Sequence, residues 1–200
     1  MKVLVFLSII IGAILPNKQL EAKEMDVATF GNGCFWCTEA IFQDLKGVSK
    51  VESGYSGGQT LDPTYKEVCT GTTGHAEVLQ ITYDPAVISF DELLEVFWKT
   101  HDPTTLNRQG NDVGTQYRSV VFYHNDEQKV LAEKYKKELN ASGAFNDPIV
   151  TEITAFDKFY VAEDYHQNYY NLNGSQPYCN FVIKPKVEKF RKVFKDKLKD

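Results

Sequence analysis

The apolar residues of the chain change their period several times, and each change marks an element. Val27-Ala28-Thr29-Phe30 is a short apolar run stopped by the tight turn Gly31-Asn32-Gly33, which is how a buried strand reads. Over residues 34–45, Phe35, Ile41, Phe42 and Leu45 offer one apolar face, and Gly47 follows, so a helix is predicted there with a glycine stop. Residues 48–55 predict a second strand ending before Gly57-Gly58, and a loop rich in Gly, Thr and Pro runs on to Gly74. Loops beyond ~12 residues are usually functional or disordered, and this one carries Tyr65 and Cys69. Residues 76–83 alternate up to Asp84-Pro85, so Glu77, Leu79, Ile81 and Tyr83 share one face of a third strand.

Ser89-Phe90-Asp91-Glu92 is a capping box opening a helix to about His101. A loop over 102–116 holds Gly110, Asn111, Asp112 and Gly114, and residues 118–123 form a strand. Asn125 caps a helix to about Ser142, ended by Gly143; residues 149–156 read as an edge strand, and a short basic helix starts at Lys186. The order β-α-β-β-α-β is the split βαβ pattern. The expected class is α+β: a ferredoxin-like two-layer sandwich with long loops and a C-terminal extension, one domain over residues 23–200.

Composition narrows the picture. An apolar content of 42% with 13% aromatics describes a packed globule of 200 residues. The net charge of −5, with no basic concentration before the last helix, points away from nucleic acid. At the start, Met1-Lys2 precedes an apolar run over residues 3–15 and then Pro16-Asn17-Lys18. That run is too short for a bilayer, which needs ~20 residues, and residues 1–22 are laid out as a signal peptide cleaved after Ala22. Its removal leaves 20 basic and 26 acidic side chains, a charge of −6. An exported, periplasmic or extracellular protein is expected, without stable membrane insertion once the signal is gone; a cytoplasmic protein follows if the segment is instead a retained helix.

The chemistry concentrates at Gly33-Cys34-Phe35-Trp36-Cys37, where a strand turns into a helix. A helix N-terminus lowers a thiol pKa through its free N–H groups and dipole, and adjacent aromatics make an apolar wall. Cys34 is therefore a candidate nucleophile, half of a redox pair, a metal ligand or a structural cysteine. Cys34, Cys37, Cys69 and Cys179 allow two structural disulfides in an exported chain, yet a three-residue spacing closes too small a loop to staple much. A zinc site from Cys34, Cys37, Cys69 and His75 lacks a second closely spaced ligand couple, so no metal is expected. Glu77 heads an apolar row; buried, it is a carboxylic acid with a raised pKa, and at the strand end it is a solvated carboxylate. Spacing leaves both open.

Gly33-Cys34-Phe35-Trp36, Gly54-Tyr55-Ser56-Gly57-Gly58, Pro63-Thr64-Tyr65-Lys66-Glu67-Val68-Cys69, Gly74-His75-Ala76-Glu77, His101-Asp102-Pro103, Arg108-Gln109-Gly110-Asn111-Asp112, Gly114-Thr115-Gln116-Tyr117-Arg118-Ser119 and Ala162-Glu163-Asp164-Tyr165-His166-Gln167 occur in that order. Together they resemble the A-type peptide-methionine (S)-S-oxide reductases, over residues 28–186. The resemblance implies that Cys34 attacks the sulfoxide sulfur, Glu77 protonates the oxygen, and Tyr65 and Tyr117 hydrogen-bond it. It makes Phe35 and Trp36 the cradle of the substrate methyl group, Asp112 a substrate-binding residue and Glu39 a supporting carboxylate. Attack leaves a cysteine sulfenic acid, which a second thiol converts to an intramolecular disulfide for an external thioredoxin-like dithiol to reduce. No bound cofactor is implied, and a monomer is expected. Tyr178-Cys179 fits the family's resolving position, with Cys37 the alternative; Asn180-Phe181-Val182-Ile183-Lys184-Pro185 replaces the Gly-rich tail of many relatives. Cys69 is expected to be a packed thiol. Two rival readings are a thioredoxin-like exchanger built on Cys34-Phe35-Trp36-Cys37, which leaves Glu77, Tyr65 and Tyr117 without work, and an exported binding domain with two disulfides.

Overall fold

The computed structural model describes residues 24–199, so the expected signal peptide lies outside the described residues. The strands are β1 (Asp26–Asn32), β2 (Val48–Ser56), β3 (Ala76–Tyr83), β4 (Arg108–Gln109), β5 (Asp112–Val113), β6 (Ser119–Tyr123), β7 (Glu152–Ala155) and β8 (Phe159–Val161). The helices are α1 (Phe35–Phe42), α2 (Tyr65–Val68), α3 (Phe90–Thr100), α4 (Asp126–Ser142), α5 (Tyr169–Leu172) and α6 (Lys184–Val193). Six strands form one sheet in the order β7-β6-β1-β3-β2-β8, and β4 and β5 make a separate small ribbon. Strand β1 pairs antiparallel with β3 and β6, and β2 antiparallel with β3 and β8, while β7 joins β6 in parallel. The architecture is α+β.

Alternation along β3 divides its side chains between two cores. Leu79, Ile81 and Tyr83 face a large cluster with Phe30, Phe42, Leu94, Phe97 and Phe190. Ala76 and Val78 join Val120 and Phe122 in a smaller cluster under Phe156 and Phe159. Glu77 belongs by parity to the larger side, one residue before Val78 and two before Leu79. Phe30 sits at the centre, its ring 5.0 Å from Phe97 and 5.7 Å from Phe42.

Local chemistry accounts for the predicted ends. Ser89 and Glu92 form the capping box of α3, Asn125 accepts from Gln128 N at the start of α4, and Gly143 closes α4 in the left-handed conformation. Other details depart from the sequence reading. The long 57–74 loop contains α2, itself opened by a Thr64–Glu67 capping box. Helix α1 stops at Phe42, freeing Leu45 to bridge Leu198 near the C-terminus. Strand β8, three residues long and only partly buried, carries too little periodicity to announce itself. Helix α6 begins at Lys184 rather than Lys186 and continues a π-helical turn over Cys179–Ile183. Among the described residues no helix is long and apolar enough to cross a membrane.

Candidate active site

Strand β1 and helix α1 are joined by a turn that only glycine fits. Gly33 has φ +101°, and a Cβ there would lie 2.7 Å from the Gln109 side chain. The turn delivers Cys34 to the N-cap of α1, where its carbonyl accepts from Cys37 N at 3.0 Å. Thr38 donates to Asn32 and to the Cys34 carbonyl, pinning strand end to helix start. Cys34 is buried, with 8% exposure.

Glu77 meets this turn from β3. It is 1% exposed, and its Oε2 accepts from Phe35 N at 3.1 Å. Burial drives its pKa up to about 8; the Phe35 N–H pulls the other way, and Asp112 and Cys37 add to the rise. The buried alternative for Glu77 is therefore the one realised, and the carboxyl keeps its proton at neutral pH.

The thiols are not as a helix start alone predicts. Burial pushes Cys34 well above the ordinary thiol range, and its hydrogen bond to Cys37 and the charge of Glu77 push it further. Cys37 moves down: the hydrogen bond from Cys34 outweighs its burial, and Lys186 and Tyr178 add to the effect. The Lys186 ammonium lies 3.9 Å and the Tyr178 hydroxyl 4.0 Å from Cys37 Sγ. One negative charge on the pair therefore rests on Cys37, in a site too dry for Cys34 to hold it unaided.

Aromatic side chains enclose the pair. Phe35 stacks on Tyr65 at 6.3 Å and lies 5.0 Å from His166. Trp36 stacks flat on Tyr169 at 3.6 Å and donates from Nε1 to His166 Nδ1 at 3.1 Å. That bond uses the neutral ring, which burial of His166 favours. Tyr65 opens α2, and Tyr117 ends a single 3₁₀ turn over Thr115–Tyr117 that follows Gly114. Burial, then the charge of Glu77, raises both phenols above their usual range, so both remain hydrogen-bond donors.

Two expected site residues have partners that the sequence did not suggest. Asp112 Oδ2 accepts from the Tyr178 hydroxyl at 2.6 Å. Glu39, 2% exposed, accepts from the backbone N–H groups of Asn168 and Tyr169 at 2.8 and 3.1 Å. It clips the segment bearing His166 and Tyr169 onto α1. Glu163, given no role from sequence, does similar work for α2: it accepts from Tyr65 N and from the Tyr55 hydroxyl, each at 2.8 Å. Glu163 and His166 lie in a motif quoted above, but only the fold reveals what they touch. Tyr178 entered the sequence reading only beside Cys179 and Lys186 only as the start of a basic helix, with no role given to either in the site.

All four cysteines are free. Cys179 is fully buried in the π-helical turn, where burial pushes its thiol up. Cys69 departs from expectation: it caps the end of α2 and is exposed rather than packed. Among the described residues, no group of three or more His, Cys, Asp or Glu side chains is placed to hold a metal ion.

Known proteins resemble this chain over most of its length. A family model described as peptide methionine sulfoxide reductase matches residues 26–198. A peptide methionine sulfoxide reductase MsrA of Saccharolobus solfataricus is 57% identical, over 88% of this chain and 98% of that protein. One from Leptospira borgpetersenii is also 57% identical, over 84% and 95%. Among solved structures, reduced Mxr1 of Saccharomyces cerevisiae superposes with a TM-score of 0.72 at 38% identity, covering 78% of this chain and 89% of Mxr1. Mxr1 in complex with Trx2 gives 0.52 at 29% identity, covering 72% and 84%. The chain belongs to the peptide methionine sulfoxide reductase family.

Proposed function

We propose that this protein reduces the S-epimer of methionine sulfoxide, free or within proteins, to methionine, and so repairs oxidised proteins. The observation that carries this reading is the buried, protonated Glu77 hydrogen-bonded beside the nucleophile Cys34. A sulfoxide oxygen leaves poorly until it is protonated, and a neutral carboxylic acid flanked by phenol donors supplies that proton in a dry site. The Cys34 sulfur attacks the substrate sulfur while its own proton passes to Cys37. The S–O bond breaks as Glu77 protonates the oxygen, with Tyr65 and Tyr117 as donors. Oxygen moves to Cys34 as a sulfenic acid, and methionine leaves. Phe35 and Trp36 hold the methyl group, their rings fixed by Tyr65, Tyr169 and His166. Asp112 acts on the substrate backbone or a site water through the carboxylate that Tyr178 orients.

A second thiol then displaces the oxygen as water, and a thioredoxin-like dithiol reduces the disulfide; the Mxr1–Trx2 complex supports that class of partner. The opposite shifts of the neighbouring thiols, Cys34 up and Cys37 down, support Cys37 as the resolving thiol. Cys179 requires its turn to unwind first, because the thiol is fully buried there. The reaction uses no bound cofactor. The core order β6-β1-β3-β2 supports the ferredoxin-like description. Export rests on the sequence of residues 1–22, with cell fractionation as its test, and a monomer is the expected state, checked by light scattering.

Turnover of each sulfoxide epimer with a dithiol reductant tests the reading. Wild type should reduce the S-epimer, Cys34→Ser should be inactive, and Glu77→Gln should lose about 10²-fold or more, the usual contribution of a general acid. Failure on the S-epimer, or full activity of Cys34→Ser, overturns it. With thioredoxin, Cys37→Ser should stop after one turnover and Cys179→Ser should continue; the opposite pattern returns the resolving role to Cys179.

A further inference from the structure

The C-terminal helical segment is built around one sulfur that lies outside it. Tyr178 and Lys186 are eight positions apart, which in a regular α-helix turns them about 80° from each other. The π-helical turn at Cys179–Ile183 lies between them. Such wide turns re-aim side chains and recur at functional sites. Here both side chains arrive at Cys37: the Lys186 Nζ at 3.9 Å and the Tyr178 hydroxyl at 4.0 Å. Lys186 is half-buried and lines one side of a groove of about 500 Å³ with His101, Gln109 and Phe190. Among the described residues it takes part in no carboxylate ion pair within 4 Å.

We propose that Lys186 is a positioning residue for the resolving half of the reaction, holding Cys37 as a thiolate for attack on the Cys34 sulfenic acid. The inference rests on Cys37 being the resolving thiol. In that step the Cys37 sulfur donates an electron pair to the Cys34 sulfur, the S–S bond forms and the S–O bond breaks. Cys37 first gives up the proton it took from Cys34, and the departing hydroxide takes that proton and leaves as water. Cys37 is oxidised and the sulfenic sulfur reduced, with no further reagent. Lys186 stabilises the charge that Cys37 must carry before it attacks. The other groups facing Cys37 divide: Cys34 and Tyr178 hydrogen-bond it, Asp112 brings negative charge, and Glu77 is a protonated carboxyl. Lys186 is the only full positive charge among these groups.

The test uses the intact protein with one equivalent of methionine S-sulfoxide and no reductant, following disulfide formation against methionine release from pH 6 to 9.5. In Lys186→Met, disulfide formation at pH 7 should slow about tenfold relative to methionine release. The midpoint of its pH profile should move up by about one pH unit, the rise that makes thiolate tenfold scarcer below the midpoint, and the rate should recover at high pH. Lys186→Arg should keep the wild-type profile. Lys186→Gln serves as a second neutral variant if the methionine protein does not fold. A neutral variant with the wild-type profile, while Cys37→Ser forms no disulfide, overturns the role of Lys186 alone. Disulfide formation at the wild-type rate in Cys37→Ser overturns the resolving assignment, and this inference with it.

Discussion

Glu77 is one residue in two environments at once. Its carbon chain continues the apolar row of β3, while its carboxyl accepts a backbone hydrogen bond at the start of α1. Solvation would lower its pKa, and the single N–H is too weak a substitute, so the proton stays. An infrared spectrum should therefore show a protonated-carboxyl band at pH 7 that is absent from Glu77→Gln and titrates away near pH 8. A glutamate ionised throughout that range would remove the acid from the mechanism. Cys34 follows the same physics: the helix start favours its thiolate, but desolvation and Glu77 oppose it. The charge settles on the neighbour that has a lysine.

At the scale of elements, the site is a meeting of segments remote in sequence, and short polar clips hold them. Glu39 on α1 ties down residues 168 and 169, and Glu163 ties down the first residue of α2. Removing the Glu39 carboxylate strands the part-buried N–H groups of Asn168 and Tyr169, each costing about 1–2 kcal/mol, the lower part of the range for an unmade hydrogen bond. Glu39→Ala should therefore lower stability by about 2–4 kcal/mol and speed hydrogen exchange at Asn168 and Tyr169 ahead of the β1 and β3 amides. Uniform acceleration would instead mean that Glu39 serves the core as a whole. The capping box of α3, the Asn125 cap and the alternation of β3 were legible because they depend on neighbours three or fewer residues away. The π-helical turn and β8 were not, since both depend on what the rest of the chain presents to them.

Across the whole molecule, the acid of the site is a burden on folding. Glu77 has a pKa of about 8 in the folded protein against 4.5 for the unperturbed side chain. Between those values the folded state keeps a proton that the unfolded state has lost. A raised carboxyl pKa therefore makes stability fall as pH rises from about 4.5 to about 8, levelling above that. Glu77→Gln has no proton to lose, so it should match wild type near pH 4.5 and exceed it above pH 8 by a few kcal/mol, each tenfold change in proton affinity being worth ~1.4 kcal/mol. Urea unfolding at several pH values reads the difference directly; parallel curves would show that the site relaxes or admits water when Glu77 ionises. Stability given up at an active site is a common cost of function.

From sequence alone came the strand and helix order around the site, the α+β class, and the identities of Cys34, Glu77, Tyr65 and Tyr117 through their ordered motifs. Periodicity, capping and glycine turns are local, so they can be read along the chain. Only the tertiary structure decided that Glu77 is buried rather than solvated, that Cys37 and not Cys34 carries the charge of the pair, and that Tyr178 and Lys186 face it. These are properties of dielectric and distance, and both are set by segments that meet across 42 to 149 residues of sequence.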